Sequence, residues 1–208
     1  MDTKVSRLTK TQPIERSPDD QSRLLSPETT EQIGRLATEF GFQDLRFIRT
    51  AQIVTAQWVG LKCRYGCAKY NTSWCCPPAA PDLRDTRELL DEYEIALLLM
   101  VESRNEHFYR NSEKKRRAQI KHWKATVGLE RKLFLMGFYK AFGLPSDTCA
   151  LCKECSYPAQ CKFPNEKRPS LEACSIDVFK TIGRLGEAVE LAGGVCQSYH
   201  TYSMILLT

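Results

Sequence analysis

Ile95-Ala96-Leu97-Leu98-Leu99-Met100-Val101 is an uninterrupted apolar run. It is far too short to cross a bilayer as a helix, which takes about 20 residues. It also lacks the alternation of a strand with one wet face. It reads as a strand buried on both sides, the centre of a sheet covered by helices.

Upstream of this run, a short helix starts at Asp82 or Pro81 and runs to about Tyr93, burying Leu83, Leu89 and Leu90. Leu45–Ile48 and Ile53–Leu61 are rich in β-branched and aromatic residues and read as strands, the second leading to Cys63. A helix begins with Ser26 as N-cap and Pro27 in its first turn, with Ile33, Leu36, Ala37 and Phe40 as its stripe and Gly41 as its stop. Before it, residues 1–26 are polar and aperiodic, the composition of a mobile tail.

Downstream, Ile120, Trp123, Val127, Phe134 and Phe138 recur at helical spacing and predict one long helix over Ser112–Phe142, closed by Pro145. A further helix is expected over Ser170–Leu191, a turn at Gly193-Gly194 and a last buried strand over Tyr202–Leu207. Strands and helices alternate, so the expectation is one layered α/β or α+β domain over residues 27–208, with cysteine-rich loops at one end of a central sheet.

The chain has 208 residues, 42% hydrophobic and 26% charged, within the range of a globular protein. Its first residues lack the apolar core of a secretion signal, and no run reaches membrane-spanning length. The expected compartment is a reducing cytoplasm, where clustered cysteines read as ligands rather than disulfides. The net charge of +5 is mild but uneven. Arg110–Lys124 carries seven basic residues against the single acid Glu113. That is the solvated face of a helix, or a docking patch for an acidic protein partner; no nucleic-acid motif accompanies it.

Eight of the ten cysteines fall into two groups. Cys149-x2-Cys152-x2-Cys155 lets one short loop offer three thiolates to one cluster, as in the first three ligands of bacterial ferredoxin runs. Cys161 follows at a wider interval than in that motif. Structural zinc sites usually pair two C-x2-4-C knuckles across a longer stretch, so zinc fits less well. The other group is Cys63, Cys67 and the Cys75-Cys76 doublet, followed by Pro77-Pro78. Neighbours in an extended segment point opposite ways, so one of the doublet faces a metal, and we favour Cys76, whose backbone the prolines would fix. The fourth position of this group is open: Cys161 by crossover, Cys174, Cys196, or a water or substrate. Taken singly, Cys75, Cys174 and Cys196 read as small buried hydrophobes. His107, His122 and His200 share no ligand spacing, and no P-loop, GxGxxG, HExxH or nucleophile elbow is present. Lys62, Arg64, Lys153 and Lys162 flank the groups and would stabilise thiolates.

Cys63-Arg64-Tyr65-Gly66-Cys67, Ser73-Trp74, Cys76-Pro77-Pro78 and Cys149-x2-Cys152-x2-Cys155-Ser156-Tyr157-Pro158 stand in order along the chain, followed by Arg168-Pro169-Ser170-Leu171-Glu172-Ala173 and Ile176-Asp177-Val178. In these motifs, from about Ile53 to Leu207, the chain resembles the predicted metal-binding protein family, domain of unknown function 2284. The resemblance implies ligands at Cys63, Cys67, Cys76, Cys149, Cys152, Cys155 and Cys161, and departs from the family pattern at Cys75. The expected function is an iron–sulfur protein with one or two clusters, of [4Fe-4S] type by the cubane-like spacing, that passes electrons to a partner enzyme or matures it. Two alternatives stand beside it: an enzyme with an open-coordination cluster, of sulfur-transfer or dehydration type, and a zinc-stabilised binding module.

Overall fold

The computed structural model describes residues 25–104, 112–187 and 198–208. The expected tail up to residue 24, Arg110, the end of the expected helix beyond residue 187, Gly193-Gly194 and Cys196 lie outside them.

Four antiparallel strands form one sheet in the order β1-β2-β4-β3, with β1 Asp44–Arg49, β2 Ile95–Arg104, β3 Phe142–Leu144 and β4 Ser198–Leu206. The apolar run is the start of β2, an inner strand flanked by β1 and β4. Its side chains alternate between two cores. Ile95, Leu97 and Leu99 pack with Ile33 and Ala37 of helix α1 (Pro27–Glu39) and with Leu129 and Leu133 of helix α4 (Ser112–Leu135). Ala96 and Leu98 face the other way, toward Leu90 of helix α3 (Leu83–Asp91), Ile182 of helix α5 (Val178–Arg184) and Leu171, Cys174 and Ile176. Two covered faces remove the need for polar alternation, and the all-antiparallel pairing makes the fold α+β. Leu99 is fully buried. Leu99→Ala should therefore cost about 2–5 kcal/mol, the range for emptying a packed leucine site, read as a lower urea midpoint at unchanged slope.

Local signals explain the remaining elements. Ser26 caps α1, its side chain accepting from the Thr29 N–H, and Gly41 at φ 88° ends the turn after it. Asp82 caps α3 and accepts from the Arg84 and Asp85 N–H groups. Three expectations need correction. Ile53–Leu61 is not a strand: only Thr55 pairs, with Ile176, and Gln57–Gly66 forms helix α2. Its apolar residues are spaced to bury Val59 alone on the helix and leave Trp58, Leu61 and Tyr65 exposed. The long helix stops at Leu135 because Gly137 turns the chain at φ 105°; Phe134 and Tyr139 are exposed, and Phe142 opens β3. The helix after Pro169 is shorter than expected. Ser175 at φ 57° breaks the segment, Asp177 caps α5 at the Lys180 N–H, and the helix ends at Arg184.

Among the described residues, no helix is long and apolar enough to cross a membrane.

Candidate metal centre

The two cysteine-bearing loops are stitched together. The Trp74 indole N–H donates to the Ala159 carbonyl at 2.8 Å, and the Tyr157 hydroxyl donates to Asn71 Oδ1 at 3.3 Å. Trp74 and Tyr157 also meet edge to face, with centroids 5.0 Å apart. Residues 71–76 and 157–159 thus share one surface although they are far apart in sequence.

Around this seam the thiols sort into two sets. Cys63 lies on α2 and Cys67 caps its C-terminal end, so this group is only partly in a loop. Pro77, Pro78 and Pro81 were expected to forbid regular structure through this group, but they follow Cys76 and leave Cys63 helical. Cys76 is buried behind a turn in which its N–H donates to the Ser73 carbonyl at 3.3 Å. Cys63, Cys67 and Cys76 lie close enough that ionising one opposes ionising another. Burial is the larger cause and raises both Cys63 and Cys76, the latter to about 11. The Cys63 thiol also stands 4.0 Å from the Glu172 carbonyl oxygen.

Cys149, Cys152, Cys155 and Cys161 line a second place, a cavity walled also by Cys75, Trp74 and Lys167. Cys75 is 3% exposed and packs with Trp123, Val127, Leu151 and Cys149, which seats this set against α4. Its side chain packs against Cys149, and the proximity of the two thiols favours the proton on Cys75 and the thiolate on Cys149. Lys69 lies near Cys149. Arg116 reaches from α4 to the Leu151 carbonyl at 3.2 Å, so one member of the basic stretch is turned onto this loop.

The doublet lies in a turn rather than in an extended segment; Cys75 packs against Cys149, while Cys76 neighbours Cys63 and Cys67. All nine described cysteines are free thiols. Among the described residues no three His, Cys, Asp or Glu side chains form a ready ligand shell for a metal ion. The donor chemistry nonetheless suits a thiophilic metal or cluster: half-buried and buried thiols crowd together with cationic side chains beside them. Cys174 is fully buried in the core beneath the sheet, as a small hydrophobe would be. Glu172 was not singled out as a candidate from sequence. Its Oε2 is sealed from solvent without a partner, and burial raises its pKa. No local signal marks it, since its burial comes from tertiary packing.

The matched family model, predicted metal-binding protein (DUF2284), covers residues 46–207. The chain belongs to this family. The match takes in both cysteine groups, strands β2 to β4 and most of β1, and leaves out α1. No curated protein and no solved structure matches the chain.

Of the two described histidines, His122 has the environment that departs more from solvent. It sits on α4 against the Phe42 ring, 5.6 Å between centroids, and its Nδ1 is 3.2 Å from the Ser146 hydroxyl. Burial lowers its pKa from 6.5 to about 4, against a smaller opposing effect of Asp147. The unfolded chain therefore takes up this proton first as pH falls. The fold is favoured above pH 6.5 and loses up to about 3 kcal/mol as pH drops from 6.5 to about 4. Urea unfolding at pH 7, 5 and 4 should show that loss, and His122→Gln should flatten it. An equal acid slope in the variant would contradict the assignment.

Proposed function

We propose that this member of the family is an iron–sulfur protein whose two thiol sets hold [4Fe-4S] clusters and that it passes electrons to, or matures, a partner enzyme. The observation that carries the reading is the sorting of eight cysteines into two adjoining sets at the seam between the loops. The C-x2-C-x2-C spacing of Cys149, Cys152 and Cys155 favours a cluster over zinc. Bound clusters would supply one-electron chemistry. The chain's own residues would ligate them, bury the sulfurs of Cys75 and Cys76, and place Lys69 and Lys167 beside the thiolates. The exposed Arg117, Lys121 and Lys124 of α4 would face an acidic partner.

A second reading has its own support. The set Cys63, Cys67 and Cys76 offers three thiols, and the fully buried position of Cys174 leaves it within the hydrophobic core. A cluster held there by three cysteines would keep one iron open, the requirement of an enzyme of sulfur-transfer or dehydration type.

Iron, zinc and acid-labile sulfide analysis of anaerobically purified protein, with electron paramagnetic resonance after reduction, tests both. The expected result is iron with equimolar sulfide. Stoichiometric zinc without sulfide would instead make the protein a zinc-stabilised module and overturn the proposal.

A further inference from the structure

The C-x2-C-x2-C loop supplies three thiols, and two further cysteines share its cavity, Cys75 and Cys161. They are not equivalent. Cys161 is half-buried in a stretch whose neighbours Gln160, Lys162 and Phe163 are exposed, and its sulfur takes only the Phe163 N–H at 3.4 Å. Cys75 is sealed among Trp123, Val127 and Leu151 and touches the first thiol of the loop, Cys149. Its backbone is tied down as well, its own N–H donating to Ser73 Oγ at 3.3 Å.

A sulfur held in an apolar shell, on a backbone that is itself hydrogen-bonded, is oriented as a ligand is oriented by its surroundings. A dry shell also keeps solvent from the bond it would form. The exposed loop around Cys161 provides neither.

We infer that Cys75, with Cys149, Cys152 and Cys155, completes the ligand set of the second centre, so that the Cys75-Cys76 doublet contributes one sulfur to each centre. This rests on the iron–sulfur reading proposed above. It means that a single peptide unit joins the two ligand sets. It also means that Cys161 is a spare thiol at the rim.

The test compares Cys75→Ser and Cys161→Ser with the unaltered chain, all purified anaerobically, by iron and sulfide content and by electron paramagnetic resonance. Iron in Cys75→Ser should fall by about half, or its second-centre signal should shift in g-value through serine ligation. Cys161→Ser should keep the full iron content and an unchanged spectrum. An unchanged Cys75→Ser spectrum, or loss of a centre in Cys161→Ser, overturns the inference. Should Cys75→Ser fail to fold by circular dichroism, the Cys161→Ser result decides alone. Absence of iron and sulfide from the unaltered protein would instead overturn the iron–sulfur reading itself.

Discussion

Cys149→Ser/Cys152→Ser protein, prepared without oxygen, is expected to lose the iron and acid-labile sulfide of the second centre and to retain those of the first. Both residues line the cavity on the α4 side, whereas Cys63, Cys67 and Cys76 neighbour one another on the other side of the doublet. Two thiolates removed from a set of four leave too few ligands for a cluster to persist. The effect should be local, because Cys149 and Cys152 are only half-buried and lie in an irregular loop outside the two cores on the sheet. Iron should drop by about half while the circular dichroism of the helices is kept. Complete loss of iron would show instead that the two sets assemble one shared centre.

The largest effect on stability is expected from Glu130→Ala. Glu130 is 6% exposed on α4, and its carboxylate holds three groups. Arg168 donates twice, from Nε at 2.8 Å and from Nη2 at 2.5 Å, and the Gly143 N–H of β3 donates to Oε2 at 2.8 Å. The planar guanidinium matches the carboxylate edge, so the pair is well formed. Truncating one side leaves Arg168 charged, largely buried and unpaired. The cost of breaking such a pair is about 3–5 kcal/mol. Chemical denaturation should show it as a large fall in midpoint. Replacing both partners together, as Glu130→Met/Arg168→Met, should cost less than Glu130→Ala, because no charge is then stranded. A loss below about 1 kcal/mol for Glu130→Ala would mean that the pair is solvated.

The fold was most legible where one local rule dominated. The Ile95–Val101 run marked the inner strand because two covered faces leave an unbroken apolar pattern. Ser26-Pro27 marked the start of α1 because the capping chemistry is local. Misreading came where composition and periodicity competed. Trp58, Val59 and Leu61 have strand-like side chains, yet the chain there is helical and leaves two of the three exposed. Phe138 and Phe142 extend the helical spacing of α4, but Gly137 reverses the chain between them and Leu135. Leu171 and Ile176 are buried as expected, though in a turn and an isolated β-bridge rather than a helix.

The candidate site shows the same division. Its cysteine groups followed from spacing alone, the doublet lying in a turn where an extended segment was expected. The company Cys75 keeps did not, because it depends on the Trp74–Ala159 and Tyr157–Asn71 bonds between distant loops. The buried Glu172 and the Glu130–Arg168 pair likewise arise from tertiary packing, which no sequence period records.

The Gly143–Glu130 bond has a consequence beyond the stability of one pair. Strand β3 is an outer strand of the sheet, and only three residues long. An outer strand offers backbone donors that a strand from another molecule can take up, the first step toward aggregation. Here the central N–H of β3 is already occupied by a side chain of the same molecule. A methyl group at Gly143 would meet that carboxylate oxygen at 2.8 Å, so glycine is what lets the acid come close enough. The chain thereby blunts an open sheet margin with a carboxylate, where strand-shortening alone would leave a donor available to a neighbour.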